Sequence, residues 1–125
     1  MILEPIAFAS DRQDGPESVD GFVSQDAPGL ALERWAVTTH EWFSVTHLST
    51  GLALNISDFS LPRIARYLPR LAALLDWSAV KGAGDVPEAA QVAVRALRAE
   101  SVMEQEDDIY GWALEATRQA VGAQV

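Results

Sequence analysis

Between Ile56 and Leu61 the apolar pattern of this chain changes period, and that change constrains its fold more than any other feature. Before it, from Leu30 to Ile56, the sequence is rich in Trp, Val, Thr, Phe and Leu, whose branched or flat side chains suit a pleated surface. After it, Leu61, Ile64, Ala65, Leu68, Leu71, Ala72 and Leu75 recur at i, i+3, i+4 and i+7, the spacing of one helix face. Strands first and helices after point to an α+β fold. The expected architecture is a small antiparallel sheet of about three strands in the N-terminal half, covered by about three C-terminal helices.

The strand region is best specified at Trp42–Leu48 and Leu52–Ile56, which flank the loop Ser49-Thr50-Gly51. A three-residue hairpin loop wants positive φ at its last position, and glycine supplies that without Cβ strain. If Leu48 faces Leu52, then Thr46 faces Leu54 and Ser44 faces Ile56. Leu48, Leu52, Leu54 and Ile56 then line one side, and Phe43, Val45 and His47 the other. A first strand is expected at about Leu32–Thr38, although AspAlaProGly at 26–29 is equally a helix start. Residues 10–29 mix Gly, Pro, Ser and acids with little apolar periodicity and read as a long loop or arm. Ahead of it, Ile2–Ala9 suits a short edge strand, where Pro5 is tolerable.

In the helical half, Ser60 is placed as an N-cap and Pro62 falls in a first turn, where a missing N–H costs nothing. Pro69 clashes with the carbonyl of Ala65, so the spacing predicts a kink or two short helices meeting near Tyr67. Asp85 and Glu88 match capping-box spacing and predict a helix from Val86 to about Met103. A last helix is expected after the acidic run at 104–108, with Ile109, Trp112, Ala113, Ala116 and Ala120 on one face and Gly122 at its end.

A length of 125 residues favours one domain, and the 49% apolar content is ample for a core. The chain has no cysteine, which removes disulfides and thiolate chemistry and fits a reducing compartment. No apolar run approaches the roughly 18 residues of a membrane span, and Glu4 and Pro5 interrupt any signal-like N-terminus. A cytoplasmic location is therefore expected. The net charge of −9 argues against direct nucleic-acid binding, which rests on Lys and Arg displacing counterions. That charge is uneven: −7 over residues 1–58, +3 over 59–98 and −5 over 99–125.

His40 and His47 are the only histidines. Strand alternation sends positions seven apart to opposite faces, so they do not converge on a metal, and no cofactor is expected. No GxSxG, HExxH, P-loop or GxGxxG motif is present. Arg63, Arg66 and Arg70 fall on one helix face, suited either to an acidic partner or to solvent and the protein's own acids. Glu100, Glu104 and Asp108 recur every fourth residue with Glu106 and Asp107 alongside, a crowding that a basic surface would relieve and that the last helix's N-terminus also welcomes. Trp42, beside the hairpin, is a candidate aromatic anchor, because tryptophan serves an interface as readily as a core.

Two functional readings follow. In the first, the chain is a protein-binding module that docks on a basic protein through Glu100, Glu104, Glu106, Asp107, Asp108 and Trp42, with Arg63, Arg66 and Arg70 as a further docking face. Immunity proteins that neutralise nuclease toxins, and phage-encoded inhibitors presenting DNA-like charge, share this profile of size and charge, though no motif assigns the chain to either. In the second, it is a small-molecule or metal-dependent enzyme centred on His47. A homo-oligomer built through the hairpin edge is a structural third option.

Overall fold

The computed structural model describes residues 2–36 and 41–122, with side chains as far as Asp107. Among these, five strands form one antiparallel meander in which each strand pairs with its sequence neighbours: β1 (Glu4–Arg12), β2 (Gly15–Val23), β3 (Leu30–Ala36), β4 (Glu41–His47) and β5 (Ala53–Asp58). Helices α1 (Leu61–Ala65), α2 (Tyr67–Ala72) and α3 (Glu88–Gly122) follow, with two 3₁₀ turns, Trp77–Ala79 and Ala83–Asp85, between α2 and α3. The fold is α+β, an N-terminal sheet packed against C-terminal helices.

The expected arm at 10–29 is instead most of a β-hairpin. β1 and β2 pair from Glu4↔Val23 to Arg12↔Gly15, and Gly15 takes φ +110° directly after Asp14. Asp14-Gly15 is a strong hairpin signal. It was obscured because most ribbon side chains are exposed, so no alternation of apolar and polar residues marks the strands. The sheet therefore has five strands rather than three. It also coils sharply. Gly21 of β2 sits so close to β3 that a Cβ there would overlap the Leu32 carbonyl and the Phe8 ring. The far end of β1 reaches the β4–β5 turn, where the Asp11 amide donates to the Gly51 carbonyl at 2.9 Å.

Gly51 has φ +72°, as its loop position requires. The register beside it differs from the expected one, because Thr46 pairs with Ala53 and Ser44 with Ser57, with an irregularity between them and Asn55 at φ +61°. A bulge of this kind reverses which side chains share a face. Ile56 thus joins Phe43 and Val45 in the core instead of opposing them, while Leu52 is exposed.

The core lies between the sheet and the helices. Leu30, Leu32, Phe43, Val45 and Ile56 from the strands meet Ile64, Tyr67, Leu68 and Leu71 from α1 and α2, Trp77, and Val94 and Leu97 from α3. Each fully buried aliphatic side chain is worth about 1.5–3 kcal/mol relative to exposure. Ser60 caps α1 by accepting from the Arg63 amide at 3.3 Å, and the two short helices break at Arg66, one residue from the expected junction.

α3 departs from expectation at both ends. Asp85 lies in a 3₁₀ turn and accepts from the Lys81 amide, so the helix begins at Glu88 rather than Val86. The expected break after Met103 is absent, and the acidic run lies inside one 35-residue helix about 52 Å long at 1.5 Å per residue. No helix starts there for those acids to cap. α3 closes the β5 edge: Arg98 donates to the Leu54 carbonyl at 2.8 Å and Gln105 to the Ser57 carbonyl at 2.6 Å. These contacts occupy two of the β5 edge carbonyls that would otherwise be open to pairing.

Candidate functional site

His47 projects from β4 into the core, 4% exposed, and both ring nitrogens are occupied. Nε2 lies 2.7 Å from the Trp77 carbonyl and Nδ1 2.8 Å from the Thr50 hydroxyl. The carbonyl can only accept, so Nε2 donates to it. The ring, held at both nitrogens, joins the sheet to the 3₁₀ turn at Trp77–Ala79. His47, the residue on which the enzyme reading was centred, is thus engaged within the fold at both ring nitrogens. His40 lies outside the described residues. Among the described residues no group of three His, Cys, Asp or Glu side chains is placed to hold a metal ion, and no helix is long and apolar enough to cross a membrane.

The candidate basic and acidic docking groups largely meet each other. Arg70 forms a two-pronged pair with Glu100 at 2.9 and 2.7 Å, and Arg66 lies 3.8 Å from Glu104. Tyr67, 2% exposed, donates its hydroxyl to Glu104 at 2.8 Å. Burial and then the neighbouring carboxylate raise the Tyr67 pKa well above the ordinary phenol value, while Arg70 holds the Glu100 carboxyl below the ordinary carboxylate range. This α2–α3 seam explains why acids inside α3 do not break it. Arg63 belongs to a different set: Nε and Nη2 grip the fully buried Asp58 at 2.6 and 2.8 Å, and that hydrogen bond raises the Arg63 pKa. Asp58 also accepts from the Ser60 amide, so the pair fixes the entry to α1. Of the expected acidic cluster, Glu106 and Asp107 are exposed on α3, whereas the side chains of Asp108 and Trp112 lie outside the described set.

On the face turned away from the helices, Glu33 of β3 is 1% exposed and collects donors from the ribbon and from β4. Ser10 Oγ at 3.0 Å, Thr46 Oγ1 at 3.1 Å and the Arg12 guanidinium all bind its carboxylate. Arg12 also stacks 3.9 Å from the centre of the Trp35 ring. Trp35 is 38% exposed and donates its indole N–H to Ser44 at 2.9 Å. Trp42 is half-buried, 6.3 Å from the Phe59 ring. Of these two Trp35 is the more exposed, and strand alternation alone does not say which face of β3 is covered.

Arg12 anchors a ribbon that is otherwise acidic. Glu4, Asp11, Asp14, Glu17 and Asp20 are all exposed on β1, β2 and their turn. Among the described residues only Glu17 is within ion-pair distance of a cation, Arg12 Nε at 3.5 Å, and that guanidinium is already committed to Glu33; Asp20 shares a cleft with Arg34, which pairs with Glu41. Arg34, Arg63, Arg66 and Arg70 are each paired elsewhere. Comparison of the chain with protein-family models, with curated proteins and with solved structures finds no match.

Proposed function

We propose that this chain is a protein-binding module of the inhibitor or immunity type, which docks on a basic protein surface through the acidic β1–β2 ribbon. One observation carries the reading. Asp11, Asp14 and Asp20 are exposed and make no ion pair among the described residues, while the only base of the ribbon is turned onto Glu33. A row of unneutralised carboxylates on a two-stranded ribbon has a field that steers a basic partner and disfavours an acidic one. Trp35, half-exposed at the ribbon's root, supplies the flat apolar surface on which affinity usually concentrates. Glu100 and Glu104 are occupied within the fold, so Glu106 and Asp107 form at most a second acidic contact.

Affinity capture from the native host at low and at high salt tests this, using wild type, the ribbon variant Asp11→Asn/Asp14→Asn/Glu17→Gln/Asp20→Asn and the helix variant Glu106→Gln/Asp107→Asn. A basic protein held by wild type at low salt, released at high salt and not held by the ribbon variant is the expected result. Equal capture by the ribbon variant sinks the proposal.

A further inference from the structure

A second surface has the opposite charge. Between β5, the 3₁₀ turn at Ala83–Asp85 and the first half of α3 lies a cleft of about 290 Å³. Leu54, Trp77, Val86 and Val94 line it with apolar surface, and Arg95 and Arg98 stand at its edge three residues apart on α3. A smaller cavity of about 140 Å³, reaching His47 and Val80, shares Leu54, Trp77, Ala83 and Val86 with it.

The two arginines differ from the paired ones. Arg98 Nη2 donates to the Leu54 carbonyl, but its Nε is buried with no acceptor, the one such side-chain atom among the described residues. Arg95 is exposed and makes no hydrogen bond or ion pair among the described residues. Buried donors are nearly always partnered, because an unpartnered one forfeits its hydration without return. Arg63 shows what the guanidinium edge accepts in this same protein: its Nε and Nη2 hold the oxygens of Asp58. At Arg98 half of that edge is taken by a carbonyl and the other half faces no oxygen.

We infer that this cleft binds a small carboxylate with an aromatic or branched apolar body. One carboxylate oxygen accepts from Arg98 Nε, and the charge is shared with Arg95. The apolar body lies on Leu54, Trp77 and Val94, with room toward the smaller cavity. The volume stands at the lower end of the ~300–1,000 Å³ range of ligand pockets, which fits a single ring or a short chain. A free phosphate would satisfy the arginines but leave the apolar lining unused. This site is independent of the ribbon and of the docking proposed for it.

The test is a titration of isotope-labelled full-length protein with phenylacetate and with its uncharged counterpart phenylacetamide, followed by NMR. Phenylacetate is expected to shift the Trp77 indole and the Leu54, Val94 and Arg98 signals, saturating in the millimolar range. The amide should bind about tenfold more weakly, as loss of one charge-assisted hydrogen bond implies. Arg95→Gln, at an exposed position, should weaken phenylacetate about tenfold and leave the amide unchanged, whereas Arg98→Lys, which keeps a charge and a donor for Leu54 but lacks Nε, should weaken both ligands. The four-site ribbon variant should bind phenylacetate as wild type does. Equal binding of acid and amide, shifts that map elsewhere, no shifts in that range, or full affinity in Arg95→Gln would each overturn the inference.

Discussion

The Arg12 guanidinium of β1 closes on the Glu33 carboxylate of β3, two strands away in sheet order, and so ties the acidic ribbon to the body of the sheet. Removing the cation strands a buried charge, whereas removing the charge leaves a part-exposed arginine that water can serve. Arg12→Met is therefore expected to cost about 3 kcal/mol and Glu33→Gln about 1 kcal/mol, read from urea unfolding midpoints. A larger loss in Glu33→Gln would show that the carboxylate is held mainly by Ser10 and Thr46.

The same asymmetry separates the helical arginines. Asp58 has no exposure, and Arg63 is 11% exposed, so Arg63→Ala should cost about 3 kcal/mol. Arg70 and Glu100 are nearly half-exposed, and Arg70→Ala should lower the unfolding midpoint far less than Arg63→Ala does. Similar losses in the two variants would contradict the assignment of Arg63 to structure.

Tyr67 gives the fold an alkaline limit. Its pKa is raised in the folded state, so its contribution is complete below the unfolded phenol value of about 10 and declines as pH rises above it. In that window the unfolded chain has already released the proton that the folded chain retains. Thermal unfolding between pH 9 and about pH 11 should show wild type losing stability more steeply than Tyr67→Phe. Parallel curves would mean that the Tyr67–Glu104 contact does not hold the proton.

Much of this arrangement is legible before any coordinates, and the parts that are not share a cause. Gly51, Ser60 and the break beside Tyr67 are local: a positive φ, a cap and a proline each act within a few residues. The β1–β2 hairpin escaped because its turn signal, Asp14-Gly15, stands among exposed side chains whose alternation carries no apolar mark. The bulge at Ser44–Thr46 moved Ile56 to the other face, a one-residue effect that pattern cannot resolve. The acids inside α3 looked like a helix boundary because their partners, Arg66, Tyr67 and Arg70, lie thirty or more positions away in sequence. Those long-range pairs also give two candidate binding acids, Glu100 and Glu104, partners within the fold. The cleft at Arg95 and Arg98 gave no signal at all, since an unpaired Nε is defined only by what surrounds it.

The ribbon's role is tested most directly by titrating the captured basic partner against wild type and the four-site ribbon variant across a series of salt concentrations. Wild-type affinity should fall steeply as salt rises, and the variant should bind roughly tenfold more weakly at low salt with a flatter dependence. The same affinity and the same salt dependence in both proteins would contradict docking through Asp11, Asp14, Glu17 and Asp20.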